Sequence, residues 1–221
     1  ALRDAHAGEA SAAGKKLVVV APSEFQASLA EFLAHKAKQL PTECVALEDV
    51  LKGQTGVDDP EKLKRFLFQR WRDDRLGYVL LVGDVDVMPV RYMVLDRVTP
   101  AAFDYAFYPS DLYYADLTKA DGRFEDWNAS RDGFHGQYFG EVRGEKNKDG
   151  PINEDQVDYL PDIGIGRWPV STAEQAARVA RKSIRYERGL LAGDKPGRNQ
   201  AALLAVAGWV DSRRLLDGVA R

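Results

Sequence analysis

The sequence is poor in the residues that carry most covalent chemistry. Cys44 is the only cysteine among 221 residues, which excludes an internal disulfide and a cysteine-based zinc cluster and leaves the redox compartment open. There are 3 histidines, namely His6, His35 and His135. No apolar run approaches the roughly 18 residues of a membrane span, so no transmembrane helix is expected. The chain also lacks a Gly-rich phosphate loop ending in Lys-Ser/Thr, and Gly164-Ile-Gly166 lacks the third glycine of a dinucleotide fingerprint. A Gly-x-Ser-x-Gly elbow and a His-Glu-x-x-His helix are missing too, which removes the serine-hydrolase and zincin readings.

What remains is an ordinary globular composition, 45% apolar and 29% charged. The net charge of −3 is unevenly spread: residues 104–162 hold 14 Asp/Glu against 6 Lys/Arg. That segment suits cations or a solvated acidic surface and repels phosphate, which argues against nucleic acid as a partner.

The pattern is organised around Gly77-Tyr-Val-Leu-Leu-Val-Gly-Asp84, an apolar run closed by Gly-Asp that describes a strand buried on both faces. Leu17-Val-Val-Val20 is a second such strand, and Glu43-Cys-Val-Ala-Leu47 a third, shorter one. Between them, Ser23 with Gln26 reads as a capping box before Phe25, Leu29, Phe32 and Leu33. Asp59-Pro60 reads as the cap and first turn of a helix carrying Leu63, Phe66, Leu67 and Trp71. Alternation of strand and helix predicts an α/β fold with a mainly parallel sheet and right-handed crossovers. In such a sheet the carboxyl ends of the strands form the ligand crevice, which places Gly83 and Asp84 there. Asp84 is read either as a functional acid or as a residue that satisfies its own loop.

Residues 1–15 lack periodicity and read as a disordered or loosely attached lead, followed by one α/β domain over 16–221. The absence of an initiating Met at Ala1 points to a processed or artificial terminus. Residues 90–158 form a long acidic and aromatic insertion, a length that usually serves function. Within it, Glu145, Asn147, Asp149 and Asn153 place oxygen donors at alternate positions around Gly150, with the Pro151 carbonyl as a further ligand. This spacing resembles a calcium loop, although Glu145 opens it where Asp is usual and Gln156 stands where a bidentate Glu is wanted. The same residues also make a plain polar turn.

Tyr159 to Arg167 returns to strand character, with Gly164 and Gly166 where close backbone approach is expected. Ser171 and Glu174 read as another capping box, opening a helix with Ala173, Ala176, Ala177, Ala180 and Ile184 inside and a basic outer face. Ala201 to Ala207 is a further buried strand. Cys44 sits among apolar neighbours in a strand, as a packed thiol does. His6 and His35 read as surface residues, and His135 as a loop histidine with some capacity as a base or ligand.

Four blocks taken together carry a resemblance: Tyr78-Val-Leu-Leu-Val-Gly-Asp84 with Pro89; Ser110-Asp-Leu-Tyr-Tyr114; Pro161-Asp-Ile-Gly-Ile-Gly-Arg167 with Pro169; and Ile184-Arg-Tyr-Glu187. In this order they resemble the gingipain-like cysteine peptidases, over roughly Leu17 to Val206. The resemblance implies a caspase-like three-layer αβα sandwich in secreted or cell-surface bacterial enzymes, often stabilised by structural calcium. It implies proteolysis of protein or peptide substrates by a histidine and a cysteine on successive strand ends. Those blocks, a Gly-His-Gly segment and a small-residue-Cys segment, are expected after the strand that here is Ala201 to Ala207, hence downstream of Arg221. The chain is therefore read as the amino-terminal portion of such an endopeptidase, inactive alone and completed by the remaining catalytic portion. No catalytic residue is assigned within it: Gly208 and Trp209 occupy the place of the acid that supports the family's histidine, and Asp211 is only near it. The alternative is a non-catalytic module that binds calcium or a partner through the insertion, marked by exposed Tyr113, Tyr114 and Trp127.

Overall fold

The computed structural model describes residues 14–96, 105–136 and 153–193. The chain divides into two compact units, Ala1–Lys182 and Ser183–Arg221. In the first unit, strand β1 (Lys16–Ala21) leads through short helices α1 (Ser23–Gln26) and α2 (Ala30–Lys36) to β2 (Thr42–Ala46). Helices α3 (Leu47–Gly53) and α4 (Asp59–Asp74) then lead to β3 (Leu76–Val82). After the insertion, β6 (Gly164–Trp168) closes the set and α6 (Ala173–Leu191) follows.

These strands form one parallel sheet in the order β2-β1-β3-β6. Val19 pairs with Cys44 on one side and Leu80 on the other, and Leu80 pairs with Gly166. The central β1 is buried on both faces. Val18 and Val20 join a cluster with Leu63 and Leu67 of α4, while Val19, wholly buried, points to the opposite side. On that side Phe25, Leu29 and Phe32 are buried, and Phe32 meets Trp168 of β6 at 4.7 Å between ring centroids. The sequence-based α/β class with a mainly parallel sheet is the fold observed.

The insertion begins as an antiparallel pair, β4 (Arg91–Asp96) with β5 (Tyr105–Ser110), followed by the single turn α5 (Leu112–Ala115). Its core is Trp127, whose ring meets Tyr113 at 5.4 Å and Tyr159 at 5.3 Å, edge to face. Gly136 is needed here. Its φ is 58°, and a Cβ would lie 2.8 Å from Cε3 of Trp127.

Two cap assignments shift by one residue. Asp58, not Asp59, caps α4, accepting from the Glu61 amide at 3.0 Å, and Pro60 lies in the first turn. At α6, Thr172 Oγ1 accepts from the Gln175 amide while Gln175 Oε1 accepts from Ser171 N. The cap thus uses Thr172 and Gln175 rather than Ser171 and Glu174, and its return bond reaches Ser171 N, one residue before the cap. Ser23 makes no cap; its amide and hydroxyl donate to Glu48 instead. The predicted strand Ala201–Ala207, with Gly208, Trp209 and Asp211, lies outside the described residues, as does His6.

Candidate functional site at the carboxyl edge of the sheet

The strand order reverses between β1 and β3, so the crevice at their carboxyl ends is the position where an open α/β sheet binds ligands. At the end of β1, the Glu48 carboxylate accepts from Ser23 N at 3.0 Å and from Ser23 Oγ at 2.7 Å. These bonds hold the carboxyl below its ordinary value, against the upward push of its slight burial. A carboxylate thus already occupies the backbone donor that a phosphate would need.

At the end of β3, Gly83 turns with φ 153°, and a Cβ there would lie 2.7 Å from Met88 Cβ. The Gly83 and Asp84 amides donate to the Trp168 and Val170 carbonyls at 2.9 and 3.0 Å, extending the β3–β6 pairing beyond the strands. Asp84 itself closes its loop. Its side chain accepts from Val85 N at 2.8 Å and its carbonyl from the Val87 and Met88 amides. Of the two readings of Asp84, the structure favours the one that satisfies loop backbone.

That loop is fastened from outside by Arg167 on β6. Its guanidinium donates to the carbonyls of Gly83 at 2.9 Å and Pro89 at 2.9 Å, and through Nε and Nη2 to both oxygens of Asp111 at 2.8 Å. Tyr114 Oη also donates to the Pro89 carbonyl, at 2.8 Å. The Ser110-Asp-Leu-Tyr-Tyr block, the Gly-Asp…Pro block and the Gly-Ile-Gly-Arg block therefore meet at one place. Asp162 joins them by accepting from the amides of Leu117 and Thr118 at 2.8 and 2.9 Å.

Cys44 lies in mid-strand, two residues before the end of β2, and burial together with Glu43 pushes its thiol above the ordinary value. It lines a cavity of about 410 Å³ with Gln26, Asp49, Val50 and Phe66, and no histidine lines that cavity. Such a thiol is not activated, as expected of a structural cysteine, but it is half-buried and lines the cavity where a fully packed thiol was expected. His35, read as a surface residue, is instead buried. It stands three residues after the buried Phe32, on the same face of α2, with Gln39 at 3.3 Å.

His135 is buried as well. Its Nδ1 is 3.5 Å from Arg91 Nη1, so Arg91 donates and the imidazole is neutral with its proton on Nε2. Burial, reinforced by the Arg91 charge, holds its pKa below the usual histidine value. Arg91 in turn clasps Asp58 through two bonds of 2.8 Å. Sequence reading missed this pair, which joins two segments 33 residues apart.

Of the expected calcium ligands, Glu145, Asn147, Asp149 and Pro151 lie outside the described residues. Asn153 is described: its Oδ1 accepts from Val157 N at 3.0 Å and its Nδ2 donates to Val157 O at 2.7 Å, closing a local turn. Among the described residues no group of three His, Cys, Asp or Glu side chains is placed to hold a metal, and no helix is long and apolar enough to cross a membrane. Tyr113, Tyr114 and Trp127, whose exposure would mark a binding module, are fully buried and form the core of the insertion.

A model of peptidase family C25 matches residues 10–220. The chain belongs to peptidase family C25, the gingipain family of cysteine peptidases. No curated protein matches. Among solved structures, the C25 chain is similar to a complex of the pro- and mature domains of RgpB from Porphyromonas gingivalis, at 20% identity and TM-score 0.47 over 78% of this chain and 29% of that one. It is also similar to a crystal structure of the Arg-specific cysteine proteinase gingipain R, at 19% identity and TM-score 0.44 over 78% of this chain and 28% of that one. A further structure, described as a protease, has 18% identity and TM-score 0.49 over 80% of this chain and 29% of its own. The C25 chain thus spans less than a third of the length of these relatives.

Proposed function

We propose that this chain is the amino-terminal portion of a cysteine endopeptidase of the C25 family, acting on protein or peptide substrates. It supplies the first strands of the sheet and one wall of the crevice, and the histidine and cysteine that cleave the substrate follow Arg221. The observation that carries this reading is the placement of Cys44. A working cysteine peptidase requires a nucleophilic cysteine, and the only cysteine in this sequence is a mid-strand thiol with a raised pKa and no histidine in its cavity. Thiol proteolysis needs a thiolate beside an imidazole, with backbone N–H groups facing the oxyanion.

The test compares this chain with a longer product of the same reading frame on fluorogenic peptides. The reading expects cleavage by the longer protein, unchanged by Cys44→Ala, and none by this chain. Cleavage by this chain that scales with its concentration and vanishes in Cys44→Ala would overturn it.

The proposal includes structural calcium at Glu145, Asn147, Asp149, Pro151 and Asn153, supported by the alternation of oxygen donors around Gly150. A chelator should then lower the melting temperature and calcium should restore it, an effect that Asp149→Ala removes. An equal response to chelator in Asp149→Ala would place the ion elsewhere. Secretion or surface display is the matching location, and cell fractionation tests it.

A further inference from the structure

Lys64 of α4 is wholly buried, and its Nζ has no hydrogen-bond acceptor. The ammonium lies over the faces of three aromatic rings, 4.1 Å from the centroid of Tyr113, 5.5 Å from Trp127 and 5.6 Å from Phe124. Asp116, immediately after α5, is also wholly buried. One of its oxygens accepts from Trp127 Nε1 at 2.8 Å, and Oδ1 has no partner. Amine and carboxylate thus flank the same indole from two segments, α4 and the insertion.

We propose that Lys64 and Asp116 form a proton-sensitive lock, whose protonation state sets how tightly the aromatic insertion docks on helix α4. Rings attract an ammonium but accept no N–H bond of ordinary strength, and a fully desolvated charge is relieved by losing its proton. The charged groups facing Lys64 are Asp116, Glu125, Asp126 and Arg91, with Tyr113 beneath it; Asp116 also faces Asp158 and Glu125. Burial lowers the Lys64 pKa to about 7 against the pull of the three carboxylates. Burial raises Asp116 to about 6 against the Trp127 bond and the Lys64 charge.

The sign follows from the difference between folded and unfolded protonation. As pH rises from about 7 toward the ordinary lysine value of 10.5, the folded state has already released the proton that the unfolded state keeps, so docking tightens. As pH falls from about 6 toward 3.8, the folded state holds a proton on Asp116 that the unfolded state lacks, and docking tightens again. The lock is therefore loosest near neutrality. The inference is independent of the peptidase reading.

The test is an NMR titration of the intact chain with labelled lysine Cε and indole nitrogen. One lysine signal, removed by Lys64→Met, is expected to titrate near neutrality, with the Trp127 indole N–H shifting at the same midpoint. Asp116→Asn, which removes an attractive charge, should move the lysine midpoint down by about one pH unit; it also serves if Lys64→Met does not fold. Titration of every lysine above pH 9, or an indole signal that stays still while Lys64 titrates, would overturn the proposal.

Discussion

Arg167 and Asp111 meet through two parallel hydrogen bonds of 2.8 Å, although 56 residues separate them. The same guanidinium donates to the carbonyls of Gly83 and Pro89. One side chain therefore fixes the loop after β3 to both the insertion and β6. A planar fork does this and a single ammonium does not.

Arg167→Lys should accordingly cost nearly as much as Arg167→Ala, about 2–4 kcal/mol, since either leaves Asp111 and the loop carbonyls without their donors. Urea denaturation of the chain measures it. Recovery of wild-type stability by the lysine variant would show that charge alone suffices.

Trp127 anchors the insertion by both packing and its N–H. Trp127→Phe should lose about 1–3 kcal/mol because Asp116 is left without its donor, and Trp127→Ala about 3–5 kcal/mol because a cavity is added. Gly136→Ala should also destabilise, since its Cβ would meet the indole and its φ of 58° disfavours a side chain. Thermal melts followed by near-ultraviolet circular dichroism separate loss of this aromatic core from global unfolding.

Asp58 gives a pH dependence with a definite sign. Its burial raises the pKa, but the Arg91 fork and the Glu61 amide outweigh that and hold it below the ordinary 3.8. The folded value lies under the unfolded one, so the stabilisation is present above pH 3.8 and disappears as pH falls through the folded value. Asp58→Ala should lose about 1 kcal/mol from the cap alone at neutral pH. Its stability curve and that of the wild type should converge in acid, and a gap that stays constant down to pH 2 would contradict the ion-pair account.

Cys44 is expected to behave as a small apolar residue. Cys44→Ala should change stability by about 1 kcal/mol or less. Its raised pKa should make alkylation by iodoacetamide at pH 7 slower than that of a free thiol. Rapid modification would point to an activated cysteine.

The strands were legible because they leave long apolar runs, Leu17-Val-Val-Val in β1, which is buried on both faces, and Val79-Leu-Leu-Val in β3, where the expected two-sided burial holds only in part: Tyr78 is exposed and Leu80 half-buried on one face. Cap positions slipped by one residue because Asp58 and Asp59, like Ser171 and Thr172, offer equivalent oxygens in sequence and only backbone geometry selects between them. Lys64 gave almost no signal. It lies beside Leu63 on an amphipathic helix whose other lysines and arginines are not fully buried, and its own burial depends on Tyr113, Phe124 and Trp127, which the chain brings back from about 50 residues or more away. The same nonlocality hid the Arg91–Asp58 pair and the bond from Ser23 to Glu48. The blocks that carry the family resemblance were legible by their order along the chain, but the meeting of three of them at Arg167 was not.

The most direct measurement is to sequence the source reading frame beyond the codon for Arg221. The account predicts that it continues into a strand ending Gly-His-Gly and then a strand ending in a small residue and cysteine. A frame that stops, or that continues without that histidine and cysteine, would contradict the claim that this chain is the front of a working cysteine peptidase.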